Sequence, residues 1–107
     1  MKTAKGRPPR RKMDVDGFAS REGAQALALW ALAFLARDVE RIGRFLALTG
    51  VAPDDLRHLA QAPDFLLAVL DYLAADEPLL LAFAAEEGVA PEAVGPARRA
   101  LGGGEDG

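Results

Sequence analysis

Apolar residues recur every three or four positions along residues 20–101, and this spacing predicts helices throughout that range. The first helix follows Ser20, whose hydroxyl is a suitable N-cap. Trp30 and Phe34 make this helix apolar around most of its circumference, so it should lie at the centre of the fold. The residues expected at the heart of the core are Leu32, Leu35, Phe45, Leu70, Leu73 and Phe83.

Residues that start and stop helices separate the apolar runs. Asp38 is a natural N-cap for a second helix, which Gly50 should end by taking a left-handed conformation. The buried stripe of this helix is predicted to comprise Ile42, Phe45 and Leu46, with Leu48 as a further candidate. The later boundaries are predicted at Pro53 for a short third helix, Pro63 for a fourth, Asp76 and Gly88 for a fifth, and Pro91 for a sixth.

A similar series of residues that start and end helices occurs twice, 38 residues apart. Residues 27–60 and 65–98 align without gaps and share eleven identities in 34 positions, including Asp38 with Asp76 and Gly50 with Gly88. This composition alone would give roughly three or four matches. One interpretation is two pseudo-repeated three-helix halves that share one core. The other is that any succession of three helices needs similar caps and stops.

Composition agrees with a single helical domain. The chain has 107 residues, 50% of them hydrophobic, and is too rich in apolar residues to be disordered. Residues that favour strands are sparse, so we predict an all-α fold, a compact bundle of five or six helices. Cysteine is absent, which excludes disulfides, thiolate metal ligands and a cysteine nucleophile.

Charge is distributed unevenly along the chain. The first twelve residues carry six basic groups and no acid, whereas the remainder carries seven arginines against sixteen acids. Residues 1–19, including Val15 and Phe18, are therefore predicted to form a flexible basic arm that is disordered or loosely docked, and residues 102–107 a flexible glycine-rich tail. The arm is a candidate for nucleic-acid contact, or else a solubilising leader or a misassigned start. Its basic residues are Lys2, Lys5, Arg7, Arg10, Arg11 and Lys12.

An export signal is a further interpretation of the N-terminus, because the Arg10-Arg11 pair precedes an apolar run. The uncharged stretch from Gly23 to Ala36 has only 14 residues, too few to span a bilayer. Acidic residues also separate the two features, where an export signal is normally free of acids. We therefore predict a cytoplasmic protein without a membrane partner.

No residue pattern indicates an enzyme, so no catalytic, cofactor or metal residue is predicted. His58 is the only histidine and has no sequence partner that would make it a base or a ligand. Residues 44–61 have the pattern of a DNA-binding helix-turn-helix, in which a helix is followed by a glycine, a hydrophobic residue and a second helix. Residues 81–100 repeat this pattern. In a DNA-binding protein the start of the recognition helix would contact phosphates, but here it carries Asp54 and Asp55, or Glu92 in the second copy, which phosphates would repel. The pattern is therefore more typical of a turn between two packed helices than of a DNA-binding motif.

Three segments resemble a family of small helical bacterial proteins, mainly from alphaproteobacteria, whose domain has no known function. They are ALAFLA at residues 31–36, Thr49-Gly50 with Asp54, Asp55 and Leu56, and PDFLLAVLDYLAADE at residues 63–77. The similarity covers about residues 24–101 and implies no activity, ligand or site. The basic leader and the GGGEDG end depart from the family.

For function, we predict a non-enzymatic protein-interaction module, because apolar residues are in excess and no reactive group of residues is evident. The partner would be an unidentified protein or a second copy of this chain. The alternative is nucleic-acid binding through the basic arm.

Overall fold

The computed structural model describes residues 15–102, apart from the side chain of Asp16. Short 3-10 turns occur at Pro53–Asp55 and Pro91–Ala93, and an α-helix follows each of them directly. All six predicted helices are present in this range, together with a one-turn helix before them, and no strand occurs in it, so the all-α prediction is confirmed. In chain order the helices are α1 (Val15–Phe18), α2 (Arg21–Ala36), α3 (Val39–Thr49), α4 (Leu56–Leu59), α5 (Pro63–Ala74), α6 (Glu77–Glu87) and α7 (Val94–Ala100).

The predicted N-caps are confirmed. The Ser20 hydroxyl accepts a hydrogen bond from the Gly23 amide at 2.9 Å. The Asp38 carboxylate accepts from the amides of Glu40 and Arg41, at 2.9 Å and 3.2 Å. Asp76 accepts from the Leu79 amide at 3.2 Å. Each cap occupies amides that the first turn of a helix leaves without a carbonyl partner.

Left-handed glycines end α3 and α6, as predicted. Gly50 has φ 76° and Gly88 has φ 70°, and each amide donates to a carbonyl four residues earlier. The bounds of α3 recur 38 residues later in α6, as do those of the first 3-10 turn in the second. Whether the two halves are a true repeat stays a prediction, because caps and stops alone would produce matching boundaries.

The core is centred on α2, which packs against α1, α3, α5 and α7. Phe34 of α2 meets Phe83 of α6 edge-on, with ring centroids 5.5 Å apart. The six residues predicted for the heart of the core are all buried, so that prediction is confirmed. Three ion pairs connect neighbouring helices near the surface: Arg37 with Glu86, Arg37 with Glu87, and Arg98 with Asp71.

The folded part extends further towards the N-terminus than the sequence predicts. Val15 and Phe18, which were assigned to the flexible arm, lie in α1, and Phe18 is fully buried. Its ring packs edge-on against Trp30 of α2, with centroids 5.6 Å apart. The contact was not predicted because it depends on a tertiary approach of α1 to α2. The rest of the predicted arm, residues 1–14, and residues 103–107 lie outside the described range.

Helices α3 and α4 lie at the edge of the core. Phe45 is the one fully buried residue of α3, with Ile42 and Leu46 half-buried. Leu48 was a candidate for the same stripe, but it is 72% exposed, so that assignment is wrong. Helical spacing places Leu48 near the apolar side of α3, but its side chain borders an open cavity of about 520 Å³. The outer surface of α3 is consequently open to other molecules.

Candidate functional site

A groove runs between α3, the end of α5 and the start of α6. It consists of two adjoining cavities of about 220 Å³ and 520 Å³, which share Arg44, Tyr72 and Asp76. We call it the α3 groove. Its lining residues are Arg41, Arg44, Ala47, Leu48, Tyr72, Ala75, Asp76, Pro78, Leu79 and Ala82.

The rotation of α3 decides which of its residues face the groove. Phe45 is fully buried and holds one side of the helix against the core. Arg41, Arg44 and Leu48 are spaced by three and four residues, so they follow one another along a single face. The α3 groove therefore has two cationic side chains and one large apolar side chain in a row on one wall.

Aromatic packing forms the floor of the α3 groove. The Tyr72 ring meets Phe45 edge-on at 5.1 Å between centroids, and Phe45 meets Phe65 at 5.7 Å. Edge-to-face geometry at these distances is favourable beyond the burial of area. Tyr72 itself is half-buried, so one part of its ring belongs to the core and the remainder lines the groove.

The arginines give the α3 groove a positive charge. The Arg41 guanidinium lies over the Phe34 ring at 4.5 Å, and its Nε is 4.0 Å from Asp38. Arg44 is exposed and forms no hydrogen bond or ion pair with any residue of 15–102. Asp76 lies on the opposite wall, where one of its oxygens caps α6. Residues 15–102 hold seven arginines against thirteen acids, whereas the α3 groove is lined by two arginines and one acid, Asp76.

A second recess of about 760 Å³ surrounds α4. It is lined by Asp54, Leu56, Arg57 and His58 among others, and α4 has no buried residue. Asp54 and Asp55 lie exposed in the 3-10 turn that directly precedes this helix. Within the part of the chain that the structure describes, no three histidine, aspartate or glutamate side chains are grouped as metal ligands would be.

Arg37 belongs to a structural ion-pair cluster at the surface. Its guanidinium donates to Glu86 and Glu87, each at 2.9 Å. Hydrogen bonds to Glu87 and then Glu86 raise the Arg37 pKa above its ordinary value. The cluster joins the end of α2 to the end of α6, so a role in holding the two helices together explains it.

The candidate nucleic-acid residues predicted from the sequence, Lys2, Lys5, Arg7, Arg10, Arg11 and Lys12, all lie outside the described range. The sequence does not predict the α3 groove, because the groove depends on how α3 packs beside α5 and α6, and α3 is separated from them along the chain by the segment that contains α4. One sequence feature was available: the spacing of Arg41, Arg44 and Leu48 around a helix that buries only Phe45 fully.

Residues 21–104 match the family described as Protein of unknown function (DUF3572). Neither a curated protein nor a solved structure matches the chain. No helix within residues 15–102 has both the length and the apolar character needed to cross a membrane.

Proposed function

The chain belongs to the DUF3572 family of proteins of unknown function, and from this premise we propose that it is a non-enzymatic protein-interaction module that binds through the α3 groove. The observation that supports the proposal is Leu48, which is 72% exposed in the wall of an apolar cavity of about 520 Å³. Large apolar side chains beside a concave surface are typical of sites that another polypeptide covers.

The shape of the groove favours a polypeptide as the ligand. Its two cavities lie end to end along α3, and helices line both walls. A groove of this kind matches the mode in which an amphipathic helix lays its apolar face between helices of its receptor. Tyr72 in the floor and Leu48 in the wall offer apolar surface for burial, and the arginines supply a polar rim.

The test is a quantitative affinity capture with the immobilised full chain. Wild type is compared with Leu48→Asp, and Leu81→Asp is the matched control because Leu81 is 48% exposed on α6 outside the groove. We expect at least one protein to be retained by wild type and Leu81→Asp but lost with Leu48→Asp. Identical sets of captured proteins for all three baits would contradict the proposal.

Nucleic-acid binding through the basic arm is the alternative. Six cations among twelve residues support it, because binding to phosphates scales with the number of cations in contact. A gel shift in low salt compares the full chain with a full-length variant in which Lys2, Lys5, Arg7, Arg10, Arg11 and Lys12 are replaced by glutamine. Retarded RNA or DNA with wild type alone supports the alternative, and equal behaviour of both proteins rejects it.

The proposal includes a cytoplasmic location and a bacterial source. Asp14, Asp16 and Glu22, between the basic segment and the apolar run, support the first, and the family resemblance of residues 24–101 supports the second. The descent of the two halves from one three-helix unit is likewise a proposal, supported by the eleven identities between residues 27–60 and 65–98.

A further inference from the structure

We propose that the α3 groove receives an acidic amphipathic helix of a partner protein, with an apolar side chain in the larger cavity and carboxylates against Arg41 and Arg44. The inference rests on the proposed function and adds the chemistry of the partner. Charge, geometry and the apolar cavity each restrict what the partner can be.

The cationic wall fixes the charge of the partner. Arg44 is exposed and has no hydrogen-bond or ion-pair partner among the described residues, so a carboxylate can bind it without displacing an existing contact. Arg41 is held at 4.5 Å over the Phe34 ring and is therefore oriented before a partner arrives. Its separation of 4.0 Å from Asp38 makes that internal pair long for a hydrogen bond.

The acidic surroundings make the arginines selective. Residues 15–102 carry thirteen acids, which repel an acidic helix from most of this surface. The pair of arginines offers that helix an attractive position and orients its approach. A basic helix has the opposite preference, because it would be attracted to the acidic body, whereas at the α3 groove it would meet two arginines and one acid, Asp76.

The spacing of Arg41, Arg44 and Leu48 along α3 fits a helical partner. Arg41 and Leu48 are seven residues apart in α3, which corresponds to about 10 Å along the axis. A partner helix presents side chains over the same distance in two turns. Carboxylates spaced three or four residues apart can therefore meet Arg41 and Arg44 together.

The larger cavity fixes the apolar part of the partner. Ala47, Leu48, Tyr72 and Ala75 line it with mostly apolar surface, and its volume is about 520 Å³. A leucine or phenylalanine of the partner would cover Leu48 and the exposed part of the Tyr72 ring. The partner motif is thus a large apolar residue beside two acids separated by three or four positions.

Binding of synthetic peptides to the full chain tests the inference by fluorescence anisotropy. The probe is an alanine-based 18-residue helical peptide with two leucines on one face and glutamates at i and i+4 on the edge of that face. Two further peptides carry glutamine or lysine in place of the glutamates. We expect the glutamate peptide to bind about tenfold more tightly than the glutamine peptide, because two exposed ion pairs are lost. The lysine peptide should bind weakest at this site, and added salt should reduce the difference between the peptides.

Charge reversal on the protein locates the contact. Arg44→Glu should weaken the glutamate peptide at least tenfold and should favour the lysine peptide instead. Arg57→Glu is the matched control, because it changes the net charge equally at an exposed arginine on α4 outside the groove. Circular dichroism of both variants should match that of wild type, since both arginines are exposed and unpaired within residues 15–102.

Three outcomes would overturn the inference. They are absence of binding by every peptide, equal binding of the glutamate and lysine peptides, and equal effects of Arg44→Glu and Arg57→Glu. A fourth outcome, concentration-dependent sedimentation of the chain that Leu48→Asp abolishes, would also overturn the inference, because it would assign the groove to a second copy. In each case a protein captured through Leu48 would still support the proposed function. Failure of the inference about an acidic helix can therefore be distinguished from failure of the proposed function.

Discussion

The carbonyl oxygen of Gly17 lies where a Cβ atom on Gly23 would be placed. This close approach allows α1 to turn back over the first turn of α2. Phe18 is thereby fully buried, and its ring contacts Trp30 at 5.6 Å between centroids. Gly23 is therefore required for packing, although its own backbone is ordinary helix.

Gly23→Ala should destabilise the protein by about 2 kcal/mol, because relieving the collision requires α1 to move and exposes Phe18. Gly43→Ala is the control, since a Cβ at Gly43 on α3 meets nothing within 4 Å. That substitution should stabilise the protein by about 0.5–1 kcal/mol through helix propensity. Chemical denaturation of both variants measures the difference.

The proposed cause can be checked with a double-mutant cycle. If Gly23→Ala acts by displacing α1, its effect should be much smaller in a Phe18→Ala background than in wild type. Fully additive effects of the two substitutions would show that the collision is absorbed elsewhere.

Local features of the fold are the ones that the sequence predicted well. Ser20, Asp38 and Asp76 cap helices, and Gly50 and Gly88 end them, because each of these functions depends on the backbone within a few residues. The buried positions in α2 and α5 also follow from their spacing, since both helices are central and covered on several sides.

Features that depend on tertiary contacts were not predicted. Phe18 follows a basic, proline-containing segment, and its burial depends on the approach of α1 to α2 at Gly23. Leu48 has the spacing of a buried residue but is 72% exposed beside an open cavity. The α3 groove was not predicted for the same reason. Its walls come from α3, α5 and α6, and helical spacing gives no information on the gaps between helices.

Leu70→Ala should cost about 2–5 kcal/mol in the free energy of unfolding, because Leu70 is fully buried at the centre of α5. Leu81→Ala should cost much less, as Leu81 is 48% exposed. Urea denaturation gives both values, provided that the free energy of unfolding depends on urea concentration with the same slope in wild type and variants. A loss below about 1 kcal/mol for Leu70→Ala would mean that the core does not pack as described.

Asp38→Ala should destabilise the protein by about 1 kcal/mol, because the amides of Glu40 and Arg41 lose their shared acceptor. Asp38→Asn retains an acceptor oxygen and should restore most of the loss. Thermal unfolding followed at 222 nm compares the two variants. Equal losses would indicate that the carboxylate charge, rather than the hydrogen bonds, stabilises the start of α3.

Gly50→Ala and Gly88→Ala should each cost about 1 kcal/mol, since φ is 76° and 70° at these positions. A Cβ meets nothing within 4 Å at either glycine, so the cost comes from backbone conformation alone. Asparagine tolerates the left-handed region better and should recover part of the loss at both sites. Unequal responses would show that one helix end can adopt another geometry.

Tyr72→Phe should leave the free energy of unfolding within about 0.5 kcal/mol of wild type, because the hydroxyl forms no hydrogen bond with the described residues. Tyr72→Ala removes the edge contact with Phe45 at 5.1 Å and should cost about 2–3 kcal/mol. Equilibrium denaturation measures both values. Tyr72→Phe should also leave binding of the glutamate peptide nearly unchanged, whereas Tyr72→Ala should weaken it, since the ring forms the floor of the α3 groove. Loss of peptide binding with Tyr72→Phe at unchanged stability would instead identify the hydroxyl as a contact of the partner.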